Sequence, residues 1–171
     1  MRHDPIDPGQ PTDREEIRPV IRVRDYMTHP AVTVGWEEPV AVAWSLMQTK
    51  NIRHLPVIDP EGHLVGVVTE ANLREVIAGL PSGEGEPDLA GAPPTLIVGK
   101  VMTWRTDAVH PDSEITAAAR LMQDRKIDAL PVVEGDQVVG ILTDIDIMRA
   151  FCRFLGQWNA PGARPGRFRR A

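Results

Sequence analysis

The chain has 171 residues, 42% of them hydrophobic, and its 19 basic and 24 acidic residues give a net charge of −5. This length leaves no room for a large catalytic domain beside a regulatory one, so we expect one compact unit. The acidic balance argues against nucleic acid or an anionic membrane surface as a partner, and no apolar run reaches the roughly 18 residues of a membrane span.

The compartment is indicated by the cysteine content and by the N-terminal sequence. Cys152 is the only cysteine, which excludes an intrachain disulfide and favours a reducing environment. The first residues lack the apolar core of a signal peptide. We therefore expect a cytoplasmic protein.

The first half of the chain alternates between strand and helix patterns. Residues 1–20 are expected to form a flexible N-terminal segment, and residues 21–78 a first folded repeat. Within the repeat, the patterns predict strand, helix, strand, strand and helix. These elements are Ala31–Val34, Pro39–Lys50, Leu55–Ile58, Leu64–Val68 and a helix that begins at Thr69.

The second half follows the same order. Residues 79–96 are rich in Gly and Pro and are expected to form a linker, and residues 97–155 a second repeat. Residues 156–171 are expected to form a flexible Arg-rich tail, which we take to be a solvated end rather than a nucleic-acid contact. The elements of this repeat are Asp107–Val109, Glu114–Arg125, Leu130–Val133, Gln137–Leu142 and a helix that begins at Thr143.

The two halves share sequence as well as pattern. Met-Thr, Leu-Met-Gln and Leu-Pro-Val each occur twice, 75 positions apart, and after the second hairpin, which is one residue shorter, VGVVTEANL aligns with VGILTDIDI at an offset of 74. A three-stranded sheet with one open face must bury that face. The other repeat is the obvious partner.

The Thr143-x-x-Asp146 sequence has two readings. A Thr followed three residues later by an acid, just ahead of an apolar helix, is typical of a capping box, in which the side chains satisfy free N–H groups of the first turn. The same helix N-terminus, with its positive dipole end, also suits an anionic ligand. These residues alone leave both readings open.

The duplicated pattern resembles the CBS domain pair, the regulatory module named after cystathionine β-synthase. Met-Thr, an amphipathic helix, Leu-Pro-Val and Val-Gly-h-h-Thr-x-x-Asp/Asn, where h is apolar, recur in order over about Val23–Phe151. The resemblance implies an α/β (α+β) fold in which tandem βαββα repeats pack sheet to sheet with pseudo-twofold symmetry. It also implies a non-enzymatic module that binds AMP, ADP, ATP or S-adenosylmethionine between the repeats.

The resemblance implies roles for particular residues. Asp146 would accept the ribose hydroxyls, with Thr143 beside it, and Thr69 and Asn72 are the matching pair of the first repeat. Arg53 and His54 would reach the phosphates in the cleft of Asp146, whereas Asp128 would face the cleft of Asn72. Four further positions match those that usually enclose the adenine: Thr103, Asp107, Ile127 and Ala129.

This pattern predicts two unequal clefts. Asn72 lacks the charge with which a carboxylate accepts hydrogen bonds, and Asp128 would repel phosphate. Without the resemblance, Arg53 and His54 could equally be a solvated pair at the start of a strand. We expect one good nucleotide site in each chain.

The expected function is a stand-alone regulatory module that senses an adenine nucleotide and signals to an unknown protein partner in trans. The alternative is a ligand-free dimerisation or interaction scaffold with the same fold. The histidines show no metal spacing and no catalytic motif occurs, so we expect neither metal nor cofactor. A homodimer is expected because Val40, Val42, Trp44 and Leu46 place apolar groups on more than one face of a helix.

Overall fold

A computed structural model describes residues 20–79 and 92–158 of the chain. The expected flexible segment at residues 1–20, except for Val20, the linker residues 80–91 and the tail residues 159–171 lie outside the described residues. Within the described ranges, no helix is long and apolar enough to cross a membrane.

The described residues form two repeats whose helices and hairpins follow the predicted order. The first contains β1 (Val34–Gly35), α1 (Val40–Lys50), β2 (His54–Ile58), β3 (Leu64–Thr69) and α2 (Glu70–Gly79). A short strand that was not predicted, β4 (Thr103–Trp104), comes next in the chain and pairs with β3. The second repeat continues with α3 (Ile115–Arg125), β5 (Ala129–Glu134), β6 (Gln137–Thr143) and α4 (Asp144–Trp158).

Three of the predicted elements differ from the structure. The strand expected at Ala31–Val34 begins only at Val34, and the one expected at Asp107–Val109 is reduced to a single bridge between Val109 and Val132. Helix α4 continues to Trp158, so residues 156–158, which we assigned to the flexible tail, are helical. Continued helical hydrogen bonding outweighs the low helix propensity of Gly156 at this end.

Both α1 and α3 end in the same way. Asn51 and Lys126, which follow the last helical residues, take left-handed conformations with φ of 52° and 56°. Their N–H groups donate to carbonyls of the last helical turn, which satisfies groups that would otherwise lack partners. This cap turns the chain from each helix directly into the buried strand that follows it.

The strands form two sheets that obey one pseudo-twofold symmetry. One sheet has the order β1-β2-β3-β4 and the other pairs β5 with β6, while β2 and β6 contact each other across the repeats. Each of three bridges has a counterpart in which both residues are replaced by the equivalent residues of the other repeat, 74 or 75 positions away. The matched bridges are Thr103↔Val67 with Thr28↔Ile141, Pro39↔Ile97 with Glu114↔Arg22, and Val34↔Val57 with Val109↔Val132. The bridge His63↔Gln137 joins two equivalent positions and therefore lies on the axis.

The segment ahead of each repeat packs on the other repeat. Val23, in a 3-10 turn at Val23–Asp25, is fully buried in the core of the second repeat, and its N–H donates to the carbonyl of Ser113 at 2.9 Å. Val98, in a 3-10 turn at Val98–Lys100, is fully buried in the core of the first repeat. Each hydrophobic core is therefore completed by a segment from the other half of the chain.

Close backbone approach at this crossover requires glycine. A Cβ atom added at Gly66, in β3, would collide with the carbonyl oxygen of Thr103, and one at Gly140, in β6, would lie 2.9 Å from the carbonyl oxygen of Thr28. These two glycines are equivalent positions of the duplication. Each allows a strand to pair with the segment that precedes the other repeat.

We expect Gly66→Ala to destabilise the whole chain, because the backbone of Thr103 cannot move without opening the β3–β4 pairing. Overpacking of this kind costs about 1–3 kcal/mol of unfolding free energy. Chemical denaturation followed by circular dichroism measures the loss. Gly156→Ala is the control, since outside its own helical turn no atom of the described residues lies within 4 Å of the added Cβ. Equal stability of the Gly66 and Gly156 variants would contradict the crossover packing.

Candidate ligand-binding site

A cleft of about 300 Å³ lies between the two repeats. Its walls come from three places in the chain: the segment ahead of β1, the connection from α1 into β2, and the end of β6 with the first turns of α4. The lining residues are Thr28, Val32, Asn51, Ile52, Arg53, His54, Ile141, Thr143, Asp144, Ile145, Asp146 and Arg149.

The floor of the cleft is a capping box at the start of α4. The Thr143 N–H donates to Oδ2 of Asp146 at 2.9 Å, and the Asp146 N–H approaches Oγ1 of Thr143 at 3.4 Å. The Thr143 hydroxyl also donates to Oδ2 of Asp146 at 2.8 Å. The capping reading of this sequence is therefore confirmed, and the cap itself faces the cleft.

Asp146 is the one buried charged residue among the described residues. It is 3% exposed, and its second oxygen, Oδ1, accepts a hydrogen bond from Nη1 of Arg149 at 2.9 Å. A carboxylate offers about four lone-pair positions, and three are used by these contacts. One position on Oδ1 remains, and a second becomes available if the exposed Arg149 side chain turns away.

The first repeat carries the same cap without the charge. The Thr69 N–H and hydroxyl both donate to Oδ1 of Asn72, at 3.0 and 2.9 Å, and the Asn72 N–H donates to Oγ1 of Thr69 at 3.1 Å. An amide oxygen thus replaces a carboxylate oxygen in the cap. The two helix starts are alike as structure and differ in charge.

His54 and Asp128 contact each other between the repeats. Nε2 of His54 lies 2.9 Å from Oδ1 of Asp128, and the His54 side chain is 9% exposed whereas that of Asp128 is 57% exposed. His54 lines the cleft of Asp146 and Asp128 does not, as expected, but the contact between them was not expected. The starts of β2 and β5 approach each other between the repeats, so a side chain from one start reaches the other.

Arg53 differs from its neighbour. Its side chain is exposed and lines the cleft, and no carboxylate in the described ranges lies within ion-pair distance of its guanidinium. Its carbonyl accepts the N–H of Glu70 at 2.8 Å, which fixes its backbone at the start of α2. The guanidinium group, carried on this fixed backbone, can bind an anion in the cleft.

The predicted site residues separate into two groups. Four of them, Arg53, His54, Thr143 and Asp146, line this cleft. The others do not line it: Thr69, Asn72, Thr103, Asp107, Ile127, Asp128 and Ala129.

The residues that we expected to enclose the adenine do not line the cleft of Asp146. The cleft is lined by the residues 75 positions earlier than the predicted ones, namely Thr28, Val32, Ile52 and His54 in place of Thr103, Asp107, Ile127 and Ala129. The crossover is the reason, because the segment that contains Thr28 pairs with β6 and β4 pairs with β3. The lining residues are therefore the equivalents, in the first repeat, of the residues that we expected in the second.

The cleft offers the chemistry of binding. A buried carboxylate and a hydroxyl stand at a helix N-terminus, two guanidinium groups lie near them, and Val32 and Ile52 supply apolar wall. Asp107, the counterpart of Val32, is engaged elsewhere by Nε of Arg125 at 3.0 Å. An apolar wall with a few polar groups suits a small molecule that has both a flat and a polar part.

Known proteins resemble both halves of the chain. The CBS domain family model matches residues 23–79 and 98–153, which together are more than half of the chain. The uncharacterized protein MJ1404 of Methanocaldococcus jannaschii is 33% identical over 136 residues, which are 75% of this chain and 31% of that protein. The homoserine O-acetyltransferase of Methanococcoides burtonii is 32% identical over 74% of this chain and 23% of its own length. The chain thus spans less than a third of these curated relatives.

Solved structures show the same architecture over nearly their full length. The CBS domain pair of protein MJ0100, in complex with 5′-methylthioadenosine and S-adenosylmethionine, is 28% identical with a TM-score of 0.67, and the match covers 80% of this chain and 99% of that one. A putative acetoin utilization protein (AcuB) of Vibrio cholerae is 29% identical with a TM-score of 0.66 over 85% and 99%. CBSX2 in complex with AMP is 28% identical with a TM-score of 0.62 over 79% and 98%.

These matches agree with the duplicated sequence, the paired bridges and the crossover of the two halves. The fold class expected from the sequence is confirmed. The chain belongs to the CBS domain family, and residues 23–79 and 98–153 are its two CBS domains.

Proposed function

We propose that the cleft beside Asp146 binds an adenine nucleotide, and that its occupancy regulates a partner protein in trans. The observation that carries the proposal is the convergence on one cleft of a buried carboxylate, a helix N-terminus and the Arg53 guanidinium, which has no carboxylate partner among the described residues. Structural relatives bind related molecules, since MJ0100 is in complex with adenosine derivatives and CBSX2 with AMP. CBS domain pairs are generally regulatory rather than catalytic.

The two ribose hydroxyls match the hydrogen-bond acceptor positions on Oδ1 of Asp146. Oδ2 is occupied by Thr143, so the hydroxyls would bind Oδ1, where Arg149 now donates at 2.9 Å. Arg149 is exposed and loses little when it exchanges the carboxylate for a phosphate of the same ligand. The buried carboxylate of Asp146 keeps a hydrogen-bond donor on Oδ1 when the ligand binds, because the ribose hydroxyls replace Arg149 there.

The cations of the cleft favour a phosphate-bearing ligand over a cationic one. Arg53 and Arg149 are exposed at its edge, and the contact with Asp128 at 2.9 Å reduces the contribution of His54. Binding of the phosphate groups therefore depends mainly on the two arginines. S-adenosylmethionine carries a sulfonium cation, and these arginines would repel it.

The second cleft is the weaker candidate. Asn72 offers a neutral oxygen that already accepts two hydrogen bonds from Thr69, and Ala129 stands where His54 stands in the other cleft. Asp128 occupies the position equivalent to Arg53, so an anion there would meet a carboxylate. One nucleotide in each chain is the proposed stoichiometry.

Asp146→Asn should weaken binding of AMP and ATP about five- to tenfold, because a neutral hydrogen bond to a ribose hydroxyl replaces a charge-assisted one. The variant should fold normally, since Asn72 makes the same cap in the first repeat. Isothermal titration calorimetry measures both affinity and stoichiometry. Asn72→Asp is the matched control and should leave the Asp146 site unchanged.

Two nucleotides in each chain, or equal affinity of the wild type and Asp146→Asn, would contradict the assignment of the diol to Asp146. The alternative function, a scaffold that binds no ligand, leads to a different expected result. The unfolding temperature of such a scaffold would not rise with AMP, ATP or S-adenosylmethionine at millimolar concentration, whereas a ligand bound only by the folded state must raise that temperature.

Arg53→Ala should reduce affinity in the order ATP, then ADP, then AMP, with the largest loss for the ligand of greatest phosphate charge. S-adenosylmethionine should bind unchanged or more tightly. Calorimetric titration of the four ligands at two salt concentrations measures the series, since screening should shrink the differences. A uniform loss for all four ligands would mean that Arg53 supports the fold of the cleft rather than the phosphates.

We also propose a homodimer, with α4 as its interface. Our sequence argument rested on α1, but Val40 is fully buried there and Trp44 and Leu46 pack on the core of the first repeat, so only Val42 remains exposed. The exposed apolar surface lies on α4 instead. Its members are Ile145, Met148, Phe151, Phe154 and Leu155, which are 38–58% exposed.

A second copy of the chain fits this surface better than an unrelated partner. The apolar residues follow one another at helical spacing over about 15 Å, the length at which two helices can pack. An antiparallel pair of α4 helices around a twofold axis would bring the same apolar residues of the two chains together. Such an interface is self-complementary in shape.

Met148→Arg should raise the dimer dissociation constant at least about 100-fold, or about 2.7 kcal/mol, because the twofold axis introduces two arginines into an apolar contact. Position 148 is equivalent to Arg74 of α2, so the first repeat already tolerates arginine there. Light scattering over a dilution series measures the constant. Ala71→Arg, an exposed change on α2, is the control, and a wild-type monomer at micromolar concentration would refute the dimer.

A further inference from the structure

The β2–β3 hairpin brings together three side chains of the kinds that bind metal ions. Its sequence is Asp59-Pro60-Glu61-Gly62-His63, and the carboxylate oxygens of Asp59 and Glu61 and a ring nitrogen of His63 all lie within 4.8 Å of one another. None of the three lines the cleft beside Asp146. We propose that this hairpin is a site for one divalent transition-metal ion of the zinc class.

The Asp59–His63 pair already has the spacing of two ligands on one ion. Oδ2 of Asp59 lies 3.1 Å from Nδ1 of His63. Two atoms bound at about 2.0–2.1 Å to a tetrahedral zinc ion are about 3.3 Å apart. A metal ion can therefore replace the hydrogen bond between these atoms with a shift of only a few tenths of an ångström.

The rest of the hairpin holds this pair in place. The His63 N–H donates to the other oxygen of Asp59, Oδ1, at 2.7 Å, so the carboxylate is oriented with Oδ2 toward the imidazole. The carboxylate is thus an oriented ligand, and an aspartate is ionised at neutral pH, as metal sites require.

Glu61 supplies the third ligand from an exposed position, and rotation of its side chain closes the remaining gap. The backbone beneath it is fixed, because Nε2 of Gln137 donates to the Glu61 carbonyl at 3.3 Å. Gly62 has φ of +90°, and a Cβ there would lie 2.7 Å from Oε1 of Gln137. The hairpin is therefore braced against the hairpin of the second repeat.

The donor set selects the class of metal. One imidazole nitrogen and two carboxylate oxygens, with water as a fourth ligand, match zinc and its neighbours among the transition metals. Calcium and magnesium prefer sites made of oxygen alone. The second repeat has Glu134 and Gln137 at the positions of Asp59 and His63, so it lacks the imidazole and serves as an internal comparison.

The test is a calorimetric titration of the full chain, without an affinity tag, with zinc chloride at neutral pH. Cys152→Ser forms the background so that the exposed thiol does not compete. We expect one zinc ion at this site, and at least tenfold weaker binding in Asp59→Asn, Glu61→Gln and His63→Gln. Magnesium in tenfold excess over zinc should not displace it.

Each variant has a structural safeguard. Asp59→Asn keeps an oxygen for the His63 N–H, and His63→Gln introduces the residue of the second repeat. Glu61 is exposed, so we expect its change to have little effect on stability. Glu134→Gln is the control and should leave zinc binding unchanged. The proposal is overturned if the parent binds no zinc, if only His63→Gln weakens binding, if Glu134→Gln weakens it equally, or if magnesium competes.

Discussion

The crossover of the two halves is the constraint on which the rest of the structure depends. Val23 completes the core of the second repeat and Val98 completes that of the first, and both are fully buried. Burial of a valine contributes about 1.5–3 kcal/mol, so neither repeat can release the other half of the chain without loss of core. The same crossover pairs the segment of Thr28 with β6 and thereby builds one wall of the cleft.

The cap at the start of α4 shows how a structural device can also bind a ligand. The Thr143–Asp146 box satisfies free N–H groups of the helix, as any cap does. It also buries a carboxylate whose second oxygen accepts a hydrogen bond from an exposed arginine. A capping residue and a ligand-binding residue are therefore not alternatives here, because one carboxylate has enough acceptor positions for both tasks.

The sequence predicted what repeats within itself and only part of what forms where the two halves cross. The helices and the β2–β3 and β5–β6 hairpins follow from periodicity and from two copies of one motif, whereas the place of Arg53, His54 and Asp146 in one cleft was expected from the family resemblance. The pairing of His54 with Asp128 and the wall formed by Thr28 depend on which half contacts which. Sequence spacing holds no information on that contact, since a segment can pack on its own repeat or on the other with the same local pattern.

The differences between the repeats concentrate on equivalent surfaces of α2 and α4. Asn72 and Asp146 cap their helices alike, but only Asp146 brings a charge into its cleft. Ala71 and Arg74 of α2 correspond to Ile145 and Met148 of α4, which makes one helix polar outside and the other apolar. Because Ile145 lines the cleft and belongs to the exposed apolar surface, ligand and partner would contact adjacent faces of one helical turn. Any movement of this turn when the cleft is occupied would reach the apolar surface directly, without passing through either core.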